Sequence, residues 1–490
     1  MKDQSKTPLF SGLLEHIEKK PTQFHIPGHK QGNAVESKFR NFLGENVFKI
    51  DLINIAPLDD LHHPHGMIKE AHELAAEAYG ADYTYFSVQG TSGAIMTMVL
   101  SICSPGDKII VPRNVHKSVT SAIIFSGAIP VFIHPEIDEN LGISHGITPT
   151  AVGHALEANP DAKAVLVINP TYFGIVADLK EIVRISHCYD IPVLVDEAHG
   201  VHIHFHENLP LSSMQAGADM AATSVHKLGG SLTQSSVLNI KGTRVSHERV
   251  QMVMSMLTTT STSYILLASL DVARKRLATE GYKLVNYAVE LAKYAREEIN
   301  TIPNLYCVGK EIIGSEAIYD LDPTKLIISV KDLGISGYDA EVWLREKYAI
   351  EVELSDLYNL LCIITPGDNM ETITLLVSAL KQMVTDKTNN GKPKAITVSI
   401  PDIPLLAITP RDAFYAATEI IPFSDSHGRI SAESIMIYPP GIPIFIPGEI
   451  ITEENINYIK KNIKNGLPVQ GLEDETLETI HVIKEHKPFK

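Results

Sequence analysis

Lys227 is the residue in this chain whose surroundings most suggest chemistry, because it sits between two runs that look like buried strands. Ala221-Ala222-Thr223-Ser224-Val225-His226 precedes it, and Leu228-Gly229-Gly230, Ser231, Thr233, Ser235 and Ser236 follow before Val237-Leu238 resumes the apolar pattern. Burial there would favour the neutral, nucleophilic amine that Schiff-base chemistry needs. The alternative is a solvated surface charge, as most lysines are. Asp196 closes the run Val193-Leu194-Val195 and is followed by Glu197-Ala198-His199-Gly200. A carboxylate at the C-terminal end of a buried strand lies where open α/β sheets bind ligands, although it could equally cap the next helix. Gly90-Thr91-Ser92-Gly93 falls between a strand-like and a helix-like stretch. Backbone N–H groups, the helix dipole and the Thr91 and Ser92 hydroxyls would converge there on an anion. A tight strand-to-helix connection with no ligand explains the same residues. His116, in Arg113-Asn114-Val115-His116-Lys117-Ser118, could lay its imidazole on an aromatic ring, or could cap a helix or sit in a polar loop.

Positioning such groups requires strands that end side by side. From about Leu61 to Gly242, short β-rich runs alternate with helical stretches, the pattern of a parallel sheet covered on both faces. Strands are expected at Tyr83 to Val88, Ile109 to Val111, Ile129 to Ile133, Ala164 to Ile168 and Val193 to Val195, with a helix from Leu179 to Tyr189. A helical stretch from Tyr264 to Glu298 leads into a smaller α+β unit that includes Lys325 to Val330 and Glu341 to Glu353. Residues 386–394 concentrate turn formers and read as a linker. The expected division is an N-terminal arm at 1–60, a large α/β domain at 61–290, a small α+β domain at 291–385, the linker at 386–394 and a C-terminal α+β domain at 395–490.

With 490 residues, the chain exceeds what one hydrophobic core usually serves. Hydrophobic residues at 44% and charged residues at 20% give a globular balance. A formal net charge of -16 speaks against nucleic acid as a partner, because that binding draws on clustered Lys and Arg. It suits a small cationic ligand better. No apolar run approaches the ~20 residues of a membrane-spanning helix, and the start of the chain lacks the apolar core of a signal peptide. Cys103, Cys188, Cys307 and Cys362 show no metal-ligand or redox spacing. They are expected to be reduced and mostly buried, and the expected location is cytoplasmic.

An anion-binding turn, a flat imidazole, a strand-end Asp and a strand-flanked Lys, in that order, form a joint signal for pyridoxal 5'-phosphate (PLP). The chain resembles the fold-type I (aspartate-aminotransferase-like) PLP enzymes, and within them the ornithine/lysine/arginine decarboxylase family. The stretches that carry the likeness are Phe24-His25-Ile26-Pro27-Gly28-His29-Lys30, Gly90 to Gly93, Asn114 to Ser118, Asn169-Pro170-Thr171-Tyr172-Phe173-Gly174, Asp196 to Gly200 and Ser224 to Lys227. Tyr438-Pro439-Pro440-Gly441-Ile442-Pro443 and Pro447-Gly448-Glu449 complete the set. In form the chain is similar to the short biosynthetic arginine decarboxylases of Gram-positive bacteria, because no receiver-like domain precedes His25.

The resemblance implies a mostly parallel seven-stranded sheet and PLP held as a Schiff base by Lys227. It implies Asp196 against the pyridine nitrogen, His116 on the ring, Ala198 small enough for close approach, and Thr91, Ser92 and Ser224 at the phosphate. The implied reaction is decarboxylation of a basic amino acid, foremost arginine to agmatine for polyamine synthesis, with Lys227 or His226 returning a proton to Cα. Glu449 is the candidate for the substrate's distal cation, with structural capping or solvent exposure as the alternative. A homodimer or higher homo-oligomer is implied, with Thr258 to Ser263 reaching the neighbouring subunit's phosphate. Longer family members carry an aromatic where this chain has His199, so their pocket details are not carried over, and they have a receiver-like domain not expected here, so neither is their decameric assembly.

Other readings compete with these. Lysine or ornithine could be the substrate, another fold-type I reaction such as transamination could be the activity, or the chain could be a non-catalytic PLP- or metal-binding regulator. His202, His204 and His206 would share one face of an extended segment, as in a zinc site. No Cys pair completes that set, and no metal is expected. His62, His63 and His65 around Pro64 are expected in a loop before a helix starting near Met67.

Overall fold

The computed structural model describes residues 2–387, 401–437, 441–464, 467 and 469–484. Most of the expected linker at 386–394, and Tyr438, Pro439 and Pro440 of the C-terminal motif, lie outside the described residues. The alternating pattern becomes, in chain order, strand β1 (Tyr83–Ser87), helix α1 (Gly90–Ile102), β2 (Lys108–Pro112), α2 (Lys117–Ser126) and β3 (Ile129–Ile133). Then come β4 (Ala164–Ile168), α3 (Leu179–Cys188), β5 (Val193–Asp196), β6 (Met220–Ser224), the single-turn helix α4 (Val225–Leu228) and β7 (Ser236–Ile240). The strands form the expected seven-stranded sheet, in the order β1-β7-β6-β5-β4-β2-β3. β2 runs parallel to β3 and β4, and β5 parallel to β6, while β7 is antiparallel to both β1 and β6.

Every residue of β5 and β6 is buried. A strand covered on both faces needs no polar alternation, which is why Val193-Leu194-Val195 and Ala221-Ala222 stand out as unbroken apolar runs. The small side chains of β6 also allow α1 to pack directly over β6 and β7.

Contacts divide the chain into two compact units, Met1–Ile102 with Pro192–Asn286, and Cys103–Ile191 with Tyr287–Lys490. The expected blocks at 1–60, 61–290, 291–385 and 395–490 are consecutive, whereas these units interleave. In the first, the N-terminal helix Pro8–Glu18 is tied down by a buried ion pair on the helix Tyr264–Asn300. Asp271 accepts the Leu9 N–H at 2.9 Å and pairs with Arg274 at 2.7 Å, and Arg274 donates to the carbonyls of Gln4 and Lys6. The helix Met67–Tyr79 follows the His62 to His65 loop, and its free N–H groups are answered by buried Asp59, which accepts from Gly66 and Ile68.

In the second unit, strands Tyr306–Cys307, Lys325–Ser329, Asn359–Ile363 and Leu354–Ser355 make a separate antiparallel sheet. The helices Gly337–Tyr348 and Met370–Lys387 share its apolar core through Trp343, Leu344, Leu380 and Met383. Further along, strands Thr418–Pro422 and Thr479–Ile483 pair antiparallel, and a core of Phe423, Ile435, Phe445, Ile459 and Val482 gathers beside the helix Glu453–Lys464. Cys103 and Cys307 are buried, Cys362 is half-buried and Cys188 exposed, and none is in a disulfide. Among the described residues, no helix is long and apolar enough to cross a membrane.

Candidate active site

The first unit gathers its polar groups where β5, β6 and β7 meet the start of α1. Gly90 opens α1 at φ +68, a left-handed conformation that suits glycine, and its N–H donates to the Gln234 carbonyl at 3.0 Å. The antiparallel register pairs Ser224 of β6 with Ser236 of β7. Cross-strand partners project to the same face. Thr91, one residue into α1, reaches both, bonding the Ser224 hydroxyl and the Ser236 hydroxyl, the latter at 2.7 Å. All three side chains are buried, and Ser92 beside them is exposed. Hydroxyls at a helix N-terminus make a cradle for a phosphate.

Asp196 ends β5 with 5% exposure. Its carboxylate accepts the Ala198 N–H at 3.1 Å. Burial pushes its pKa up to about 6, against the pull of that hydrogen bond and of the Lys227 charge. A desolvated carboxylate of this kind gains most from a cationic partner, and a protonated ring nitrogen is one. Glu197 is buried too, but is occupied: it accepts from the Ser213 N–H and hydroxyl, both at 2.6 Å, and from the Thr223 hydroxyl at 3.0 Å. Burial still lifts it to about 7.

Each raised carboxyl binds its proton more tightly folded than unfolded, so the stability it contributes is full below pH 4 or so and is lost as pH rises through 6 to 7. The apoprotein Tm is therefore expected to fall on this account between pH 5 and 7.5. A cationic ligand bound against Asp196 is expected to widen the gap between loaded and unloaded Tm over the same interval. Thermal scans of both forms across pH, with Asp196→Asn alongside, check it. A gap that does not vary with pH, or an apo profile unchanged by Asp196→Asn, would contradict the assignment.

Lys227 lies on α4 in the connection from β6 to β7, and its Nζ is 2.7 Å from His199 Nε2. Gly229 closes the turn by donating to the Val225 carbonyl at 2.8 Å, and a Cβ there would come within 2.7 Å of that oxygen. His226, next to Lys227 in sequence, turns away: its Nδ1 donates to the Ser235 carbonyl at 2.9 Å. Half-buried Ala198 adds no bulk at the end of β5. Two partners were missed in the sequence, His199 and Ser236. The register of β6 and β7 is the signal for Ser236, and sequence alone does not supply it.

In the second unit, His116 is the N-cap of α2, where its Nδ1 accepts from the Ser118 N–H at 3.2 Å and from the Ser118 hydroxyl at 2.8 Å. Glu449 has a different task from the one expected. It is 1% exposed, and its two oxygens accept from Arg113 Nη1 and Nη2 at 2.6 and 2.7 Å. Arg113 also donates to the Pro443 carbonyl at 3.0 Å and stacks over Phe132 at 4.6 Å. A carboxylate whose charge is already answered by a buried guanidinium is a poor acceptor for a substrate cation, so Glu449 is corrected to a structural residue.

The histidines after Asp196 do not line up. Residues Ile203–Phe205 form a 3-10 turn rather than an extended segment, which removes the two-residue alternation that a shared face requires. His204 bonds the Ser212 hydroxyl at 3.2 Å, and His206 bonds Asn286 at 3.1 Å and stacks on Tyr282. Among the described residues, Glu433, Glu473 and His481 are the group whose potential ligand atoms lie within 4.8 Å of one another. Glu433 already accepts the backbone N–H groups of Glu473 and His481 there.

The Orn/Lys/Arg decarboxylase major-domain model matches residues 7–372, and the C-terminal domain model of the same family matches residues 395–479. The chain is 67% identical to an arginine decarboxylase of Halalkalibacterium halodurans, over 100% of both chains. It is 65% identical to an arginine decarboxylase of Bacillus subtilis, over 99% of this chain and 100% of that one. Among solved structures, the Francisella novicida lysine decarboxylase LdcF superposes with a TM-score of 0.85 at 23% identity, covering 98% of this chain and 81% of that one.

Proposed function

This chain belongs to the Orn/Lys/Arg decarboxylase family, and on that premise we propose that it decarboxylates L-arginine to agmatine and carbon dioxide with PLP held on Lys227. The observation that carries the reading is the grouping inside one unit of the Lys227 amine, the desolvated Asp196 carboxylate and the hydroxyls of Thr91, Ser224 and Ser236. These groups fit PLP by their chemistry: an amine for its aldehyde, a carboxylate for its ring nitrogen, and hydroxyls at a helix N-terminus for its phosphate. Arginine is favoured over lysine or ornithine by identities of 65 and 67% along the whole chain to proteins named arginine decarboxylase.

When bound, PLP supplies a sink for the electron pair left at Cα as the carboxylate departs. Lys227 is the covalent anchor and the holder of the proton that Cα receives. Asp196 would keep the ring nitrogen protonated, and Ala198 would leave room beside it. Thr91, Ser92, Ser224 and Ser236 would receive the phosphate. His226, bonded to Ser235, steadies the α4 connection. The reading includes a homodimer, with residues of Thr258 to Ser263 facing the second copy.

Purified protein loaded with PLP is expected to release carbon dioxide and agmatine from arginine, with kcat/KM about 10²-fold or more above lysine and ornithine. Carbon dioxide from none of the three would sink the reading. Preference for lysine or ornithine would overturn the choice of substrate.

A further inference from the structure

We infer that His199 is the proton-supplying and positioning partner of Lys227, an assignment that rests on the decarboxylase reading above. His199 Nε2 stands 2.7 Å from Lys227 Nζ, and the imidazole is 5% exposed. That separation is hydrogen-bond distance, across which an ammonium donates to a bare Nε2 and a protonated Nε2 donates to an amine.

Both partners come from backbone that is fixed independently of the contact. On one side, Glu197 is clamped by Ser213 and Thr223, and the Gly200 N–H closes the turn onto the Glu197 carbonyl at 2.9 Å. His199 therefore projects from a locked turn immediately after β5. On the other side, α4 is closed by Gly229 and held to the Ser235 carbonyl through His226. Both residues are thus carried on backbone turns held by hydrogen bonds of their own, which limits the positions their side chains can take. The neighbouring imidazoles have other tasks, His204 with Ser212 and His206 with Asn286.

The chemistry supplies a reason for the pair. Each turnover breaks the Cα–carboxylate bond and consumes one proton in forming Cα–H. An N–H bond of Lys227 breaks as that C–H bond forms, leaving a neutral amine. The neutral amine re-forms the link to the cofactor as the product amine leaves, and when substrate next frees Nζ it takes its proton from the Nε2–H of an imidazolium at His199, which regains that proton from solvent. The balance is one proton taken up for each carbon dioxide released.

The test uses the full chain as His199→Gln, which keeps a hydrogen-bonding side chain but carries no transferable proton, and as His199→Ala. Both are expected to bind PLP, read by visible absorbance, and to lose kcat for arginine by about 10²-fold while KM changes little. Added imidazole should raise kcat of His199→Ala severalfold and leave His199→Gln and the unaltered enzyme unchanged. A readout independent of turnover is the ring ¹⁵N resonance of His199 in the apoprotein, identified by its loss in His199→Gln and expected to move in Lys227→Met. An unmoved resonance, kcat retained in both variants, or failure of imidazole to rescue His199→Ala would each overturn the inference. If the unaltered enzyme releases no carbon dioxide from any basic amino acid, the decarboxylase reading fails and takes the proton-transfer role with it. If it is active and the variants are equally so, only the role of His199 falls.

Discussion

Lys227→Ala is expected to lose the covalent hold on PLP altogether and to lower kcat for arginine by at least about 10³-fold, since it removes both the anchor and the proton donor. Folding should be little affected. The α4 turn is held by backbone bonds from Gly229 to Val225 and by His226 to Ser235, neither of which uses the lysine side chain. Alanine is also a good helix former. Borohydride reduction followed by peptide mass spectrometry gives the direct measurement: cofactor mass on the peptide containing Lys227 in the unaltered protein, and none in the variant. Labelling at a different lysine, or turnover within tenfold of normal, would remove Lys227 from the centre of the site.

The second large effect is on stability. Glu449→Ala would leave the Arg113 guanidinium buried with carbonyls but no counter-charge, and truncating one partner of a buried pair costs about 3–5 kcal/mol. Urea titration should show that loss, and Arg113→Ala should show a similar one. The double variant Arg113→Met with Glu449→Met should cost far less than the sum of the two truncations, because no charge remains to be desolvated. The same variants separate a structural Glu449 from a substrate-binding one. Glu449→Gln is expected to weaken folding while KM for arginine at low temperature stays near normal. A KM raised tenfold or more with stability unchanged would restore the substrate role.

The residues that proved legible in the sequence share a physical cause. Strands such as Val193–Asp196 and Met220–Ser224 are buried on both faces, so their apolar runs are visible without any partner. The Gly90 turn is visible because a left-handed residue between strand and helix calls for glycine. The long helix Tyr264–Asn300 shows as a stretch with few breakers. His202, His204 and His206 misled for the converse reason. Periodicity of two marks a shared face only in an extended chain, and there the backbone turns.

Amino-acid order by itself determined the succession of strand ends and, with it, that Thr91, Asp196, Ser224 and Lys227 would fall at turns next to buried strands. Which of these groups touch one another was decided only in three dimensions. Ser236 joins Thr91 because of the β6–β7 register, His199 rather than adjacent His226 reaches Lys227, and Glu449 finds Arg113 from the far end of the chain. Local propensity and hydrophobic pattern act over a few residues, whereas strand register, side-chain direction and the pairing of buried charges are settled by packing between distant segments.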